Sequence, residues 1–166
     1  MDDHRPEAAP DPHVLGPDQA PTPFTADEIR QGCPVGRTLR LLIEPTGAPP
    51  VHRLNRYARC DERGATIERS GVGADGEPDG PPEVDDVTWL DLQGHASFPV
   101  DQTTIESETI ETPLGAEECQ RYTVTDGATR QVFWFAVDRP GMPIRYLTEE
   151  SGRVVMTVSV VADERA

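Results

Sequence analysis

The sequence has no lysine, few aromatic residues, three cysteines and no long apolar run. Cys33, Cys60 and Cys119 are widely spaced and form no C-x-x-C pair, which argues against a disulfide framework or a zinc knuckle. A membrane-spanning helix needs about 18 consecutive apolar residues, and a secretory signal needs a basic region followed by an apolar one. The sequence shows neither pattern, so we expect a cytoplasmic protein with free thiols.

Positive charge is also scarce, because 15 basic residues stand against 30 acidic ones and give a formal net charge of -15. Such a charge repels phosphate backbones and anionic membrane surfaces. We therefore expect neither a nucleic acid nor a membrane as partner. No phosphate loop, dinucleotide fingerprint or metal-ligand spacing occurs, so we expect no cofactor and no bound metal.

The chain length of 166 residues is typical of one domain. Residues 1–23 are rich in proline, aspartate and alanine and offer little to bury, so we predict a disordered acidic tail. We assign residues 24–163 to a single β-rich domain. Within it, SGVGADGEPDGPPE at residues 70–83 is dense in glycine, proline and acid, which predicts a mobile surface loop.

Two short segments carry the signals of a helix start. In FTADEIRQG, Thr25 and Glu28 fit a capping box, and Gly32 ends the helix. In VTWLDLQG, Thr88 and Asp91 have the same spacing, and the helix ends near Gly94. Each helix should therefore have only one or two turns.

The remaining sequence alternates apolar and polar residues with the period of two that is typical of strands. Three strands are predicted in TLRLLIE, VHRLNRYARC and ATIERS, and five more follow Pro99 at intervals of about ten residues. Loops this short favour antiparallel neighbours. The predicted fold class is α+β, mostly β, with a curved antiparallel meander sheet bent into a half-barrel or open barrel and two short helices.

The strand RQVFWFAVD is apolar on both faces. Alternation places Phe133, Phe135 and Val137 on one face, and Val132, Trp134 and Ala136 on the other. A strand with two apolar faces is central in its sheet and is covered on both sides. The cover is either ordinary core or a bound apolar molecule.

The C-terminal half carries a recurring order of features: a glycine, a strand, a strand containing tryptophan, and a proline-glycine turn. Those positions are Gly115, Tyr122, Trp134, Pro140, Gly141 and Pro143. In these features the chain resembles bacterial half-barrel proteins, among them periplasmic lipoprotein carriers. The resemblance implies a curved antiparallel sheet wrapped around a helix or an apolar ligand, and it supplies no catalytic residue. The sequence has neither the export signal nor the lipid-attachment cysteine of the carriers, so lipoprotein transport is not expected.

The first functional hypothesis is a non-enzymatic module that binds an apolar small molecule or a partner segment in the concave face of the sheet. Apolar pockets of this kind carry a few polar anchors. The candidate apolar lining residues are Trp89, Val132, Trp134, Ala136, Tyr146 and Met156. The candidate polar anchors are His95, Arg121 and Arg145.

Two alternatives remain open. The last strand, RVVMTVSVV, is apolar on both faces, so an unpaired edge there would seek a neighbour, and the chain could act as a homodimer or an accessory protein. The second alternative is a small enzyme on the same scaffold. It would need polar groups that converge inside the hollow, and the sequence does not display them.

Overall fold

A computed structural model describes residues 11–165 as one open, antiparallel, nine-stranded sheet with two short helices. This confirms the predicted mostly-β fold class, and the sheet is open rather than closed into a barrel. The helices are α1 (Ala26–Gly32) and α2 (Trp89–Gly94). The strands are β1 (Thr38–Pro45), β2 (Val51–Cys60), β3 (Gly64–Gly71), β4 (Glu83–Thr88), β5 (Thr103–Thr112), β6 (Gly115–Asp126), β7 (Thr129–Ala136), β8 (Arg145–Glu150) and β9 (Arg153–Glu164).

Two meanders make up the sheet. The strand order is β4-β3-β2-β1-β9-β8-β7-β6-β5, so β1–β4 and β5–β9 are each formed by neighbouring hairpins, and the β1–β9 pair joins them. The ladders shift register within the β1–β9, β2–β3 and β8–β9 pairs. Irregularities of this kind increase the local twist and bend of a sheet.

The last strand does not lie at an edge. Strand β9 pairs with β1 on one side and β8 on the other, so RVVMTVSVV is not the unpaired edge that the first alternative considered. Its two apolar faces are the pattern of a strand inside a sheet. Among the described strands, β4 and β5 form the two edges.

Strands β4 and β5 follow each other in the chain but lie at opposite edges, so residues 89–102 must cross one face of the sheet. Helix α2 belongs to this crossing segment, and α1 packs beside it. We call the face that they cover the helix-covered face. Its core contains Ile29 and Trp89 from the helices, packed with Tyr57, Ile67, Tyr122 and Phe135 from the strands.

Both helices begin as the sequence predicts. The Thr25 hydroxyl accepts from the Glu28 amide at 3.2 Å, while the Glu28 carboxylate accepts from the Thr25 amide at 3.0 Å. Thr88 and Asp91 form the same reciprocal pair at 2.9 and 3.1 Å. Each capping box provides hydrogen-bond acceptors for backbone amides that have no partner in the first turn of a helix.

The predicted tail requires a correction for residues 11–23, whereas residues 1–10 lie outside the described residues. Ala20 and Thr22 are buried, and the Ala20 amide donates to the carbonyl of Phe98 at 2.8 Å. The Tyr122 hydroxyl donates to the carbonyl of Pro21 at 2.7 Å. Residues 11–23 therefore form a segment packed on the domain, which we call the N-terminal strap.

Strand β4 was not predicted. Its sequence, EVDDVT, has five exposed residues out of six, because it lies at an edge and only β3 pairs with it. The predicted loop at 70–83 is correspondingly shorter and runs from residue 72 to residue 82 between β3 and β4. Whether this loop is mobile stays a prediction.

Candidate ligand cavity

A cavity of about 410 Å³ lies between the helix-covered face, the crossing segment and the loop that joins β7 to β8. Most of the side chains around it are apolar. The aliphatic ones include Ile29, Leu39, Ile67 and Leu92, and the aromatic ones are Tyr57, Phe98, Phe133, Phe135 and Tyr146.

Roughly parallel rings form one wall of the cavity. Phe133 and Phe135 point to the same side of β7, and Tyr146 is the partner of Phe133 on β8. The Phe133 ring stacks on Phe98 with centroids 5.1 Å apart and on Tyr146 at 5.9 Å. Phe98 comes from the crossing segment, so the chain path brings this ring onto the sheet. Such contacts fix the rings and give the wall a defined shape.

Three polar side chains also line the cavity: Asn55, Arg69 and His95. Asn55 and Arg69 are partners across the β2–β3 ladder, and the guanidinium of Arg69 donates to Asp85 on β4. His95 caps the C-terminal end of α2 and is exposed. The Asn55 Oδ1 atom has less than 1 Å² of accessible area, and it accepts no hydrogen bond within the described residues.

The two cavity tyrosines remain neutral phenols at physiological pH. Burial raises the pKa of Tyr57, and the nearby Cys33 thiol raises it further. Burial also raises the pKa of Tyr146, against the opposing charge of Arg53. Neither hydroxyl ionises near neutrality, so they add no charge to the cavity.

The loop between β7 and β8 closes one side of the cavity through Gly141, Met142 and Pro143. Gly141 has φ of 126°, a conformation that glycine adopts without strain, and it packs beside Cys33 and Tyr57. The guanidinium of Arg37 holds this loop by donating to the carbonyl of Pro140 at 2.6 Å. The same guanidinium donates to the carbonyl of Gly32 at 3.0 Å, so one side chain ties the loop to the end of α1.

Arg37 is itself held by Asp163 near the end of β9, and the two side chains are 3% and 1% exposed. Arg139 also donates to Asp163, at 3.0 Å, and to Glu117, at 2.9 Å. Burial alone would raise the pKa of Asp163, but hydrogen bonds and positive charge from Arg37 and Arg139 outweigh it and lower the pKa. The Asp163 carboxylate is therefore ionised, and its hydrogen bonds to arginine hold the loop in place.

A larger depression of about 780 Å³ lies at the β2–β3 turn and is a weaker candidate for a ligand site. Its acids are already occupied by structural roles. The Asp61 carboxylate accepts from the amides of Arg63 and Gly64, which lower its pKa, and Asp91 caps α2. These two carboxylates therefore have structural roles, one in a turn and one in a helix cap.

Two of the nine predicted site residues, His95 and Tyr146, line the cavity. On β7 the predicted lining was the row of Val132, Trp134 and Ala136, whereas Phe133 and Phe135 line the cavity. Both rows are apolar, so alternation could not show which one the helices cover. Val132 and Ala136 are buried on the other side of the strand.

Four of the predicted residues have other contacts. Arg121 donates to Glu106 and Glu108, the Trp134 indole donates to Glu108 at 3.0 Å, and the Arg145 guanidinium lies 5.2 Å from the centre of the Trp134 ring. Trp89 is buried, and its indole donates to the carbonyl of Asp61 at 2.8 Å.

Met156 packs against a second apolar cluster, which contains Leu41, Val158 and Val160. Among the residues that the structure describes, no group of three or more histidine, cysteine, aspartate or glutamate side chains could hold a metal ion. In the same part of the chain, no helix has the length and apolar character needed to span a membrane.

Comparison with known proteins gives a likeness of fold alone. No family model matches the chain, and no curated protein matches it. The chain is similar to a chain in the complex structure of Pseudomonas aeruginosa MucA/MucB, with a TM-score of 0.55 and 10% sequence identity. The similarity covers 78% of this chain and 51% of that chain, so the present chain spans about half the length of its structural neighbour.

Proposed function

We propose that the protein is a non-enzymatic binding module that holds an apolar small molecule in the cavity of the helix-covered face. The observation that carries this proposal is the aromatic-lined cavity of about 410 Å³. Ligand pockets commonly enclose about 300–1,000 Å³ and combine apolar walls with a few polar groups. Asn55, Arg69 and His95 would be the polar groups here.

Three features support binding over catalysis. The acids near the cavity are engaged in ion pairs or caps, as Asp85 is with Arg69 and Asp91 is with Thr88. The thiol of Cys119 is 1% exposed, and burial raises its pKa to about 11, so it is not an activated nucleophile. The raised pKa values of Tyr57 and Tyr146 keep both hydroxyls protonated, so neither provides a phenolate that could act as a base.

The experiment is a titration with prodan, a neutral naphthalene dye whose emission shifts to the blue in apolar surroundings. We expect saturable binding to the wild-type protein. Ala96→Phe places a ring in the cavity and should weaken binding at least tenfold, because Ala96 is part of the lining. The matched control is Ala116→Phe at an exposed position on β6. Circular dichroism establishes that both variants fold. Equal dye affinity in the two variants would refute the proposal.

A second candidate is protein binding through a sheet edge. Strand β5 is ten residues long, has β6 as its one neighbour among the described strands, and carries Ile105 with 38% exposure. Free strand edges can pair with another chain. The structural neighbour comes from a complex of two proteins, which is compatible with a partner module.

Sedimentation velocity over a range of concentrations tests this candidate as a homodimer. Self-pairing through β5 should give a dimer that Ile105→Asp abolishes. Val84→Asp places the same change at an exposed position on the opposite edge strand and should leave the dimer intact. A monomer at every concentration would count against self-association. Edge pairing would then have to involve a different protein.

A further inference from the structure

Asn55 is the one polar side chain of the cavity with a buried atom that lacks a hydrogen-bond partner in the described part of the chain. It lies in the middle of β2, opposite Leu39 on β1 and Arg69 on β3. An aliphatic side chain at this position would leave no unpaired polar atom there. Buried polar atoms nearly always have a partner, so an unpaired one in a ligand cavity points to a partner supplied by the ligand.

The neighbouring polar groups do not supply that partner. The Arg69 guanidinium donates to Asp85, on the edge strand. The Tyr57 hydroxyl lies close to Gly141, and burial together with the nearby Cys33 thiol raises its pKa. His95 is exposed at the end of α2. None of these groups donates to the Asn55 carbonyl oxygen, which remains unpaired within the described residues.

We propose that the Asn55 Oδ1 atom accepts a hydrogen bond from the bound molecule, so that the ligand is an apolar compound with a hydroxyl or N–H group within its apolar body. This inference rests on the proposed function and adds the chemical class of the ligand. The oxygen has less than 1 Å² of accessible area, so ligand binding would require the carboxamide to rotate and turn the oxygen toward the cavity. The terminal torsion of an asparagine side chain is broad, which permits such a rotation. A site that pairs a buried polar group with its ligand discriminates against analogues that lack the matching group.

The test compares 4-cyclohexylphenol with its methyl ether, in which a methyl group replaces the donated hydrogen, as competitors of prodan. Prodan itself has no hydrogen-bond donor. A single neutral hydrogen bond corresponds to roughly a five- to tenfold difference in affinity, so the phenol should displace the dye at about that much lower concentration. In Asn55→Leu the phenol should lose its advantage over the ether, because the ether buries one more apolar carbon and the phenol has no acceptor to donate to. The control Gln131→Leu removes a side-chain amide from β7 outside the cavity and should preserve the preference.

Thermal unfolding of the ligand-free protein gives an independent readout. Asn55→Leu removes an unpaired buried acceptor, so its melting temperature should equal or exceed that of the wild type, and Asn55→Ala serves in its place if leucine proves too large. A preference for the phenol that survives in both variants would overturn the assignment of Asn55, as would equal competition by the two compounds in the wild type. Failure of prodan to bind at all refutes the proposed function instead, and the two failures are thereby distinguished.

Discussion

The guanidinium of Arg37 donates two parallel hydrogen bonds, each 3.0 Å long, to the two carboxylate oxygens of Asp163. This pair joins the segment that precedes β1 to the end of β9, at the junction of the two meanders. A planar, two-point contact fixes orientation as well as distance. It therefore sets the position of the loop that Arg37 holds over the cavity.

Asp163→Asn should destabilise the protein by about 3–5 kcal/mol, because it leaves the buried guanidinium of Arg37 without its counter-charge. Urea unfolding of the variant and the wild type measures the difference. Glu164→Gln removes a charge from the exposed neighbouring residue and serves as control. A loss of stability below about 1 kcal/mol, the value typical of surface ion pairs, would show that the Arg37–Asp163 pair is accessible to solvent.

The Arg37–Asp163 pair should also make stability depend on acid pH. The folded state lowers the pKa of Asp163 through Arg37 and Arg139, so the unfolded state binds the proton more readily. The resulting stabilisation is fully present above the unfolded aspartate pKa of about 4 and is lost as the pH falls through the lower folded value. Urea titrations at several pH values should show the difference between wild type and Asp163→Asn shrinking below about pH 4. A constant difference would contradict the lowered pKa.

The two short helices offer a matched pair of glycines at their last positions. A Cβ atom at Gly32 would lie 2.7 Å from the ring of Pro140, whereas nothing lies within 4 Å of one at Gly94. Gly32→Ala should therefore cost about 1–3 kcal/mol through overpacking. Gly94→Ala should be neutral or stabilising by up to about 1 kcal/mol, since alanine favours helices. Chemical denaturation of both variants checks this, and equal effects would mean that Pro140 does not contact α1.

Gln93 links the N-terminal strap to both helices. Its side chain donates to the carbonyl of Pro12 at 2.8 Å and to the Thr22 hydroxyl at 3.0 Å, and it accepts from the Ala26 amide at 2.9 Å. Gln93→Leu should lower stability by about 1–3 kcal/mol, because it leaves buried partners unpaired.

Gln31→Leu, at an exposed position on α1, is the control for Gln93→Leu. A chain that starts at residue 24 should lose a similar amount of stability in thermal unfolding. If the shortened chain has the same melting temperature as the full-length protein, the N-terminal strap does not contribute to stability.

Local signals predicted the parts of the fold that depend on neighbours in sequence. The capping boxes at Thr25 and Thr88 need only side chains three residues apart, and the hairpins after Thr103 need only alternation and turns. Strand β4 escaped prediction, because an exposed edge strand requires no apolar row.

The cavity depends on non-local pairing, which the sequence does not encode in a local pattern. The choice between Phe133 and Trp134 as cavity wall follows from which face residues 89–102 cross, and a crossing is needed because the β1–β9 pair leaves β4 and β5 at opposite edges. Asn55 was missed for a similar reason. A polar residue two positions from Tyr57 on one strand face is a weak signal until the partners on β1 and β3 are known.

The central place of the last strand has a consequence for biogenesis. Strand β1 emerges from the ribosome before β5–β9 but finds its second neighbour only when β9 has been made. Until then each meander has one side open to wrong partners, so truncated translation products should be prone to aggregate. The acidic character of the chain would then protect nascent copies, because like charges keep them apart in solution.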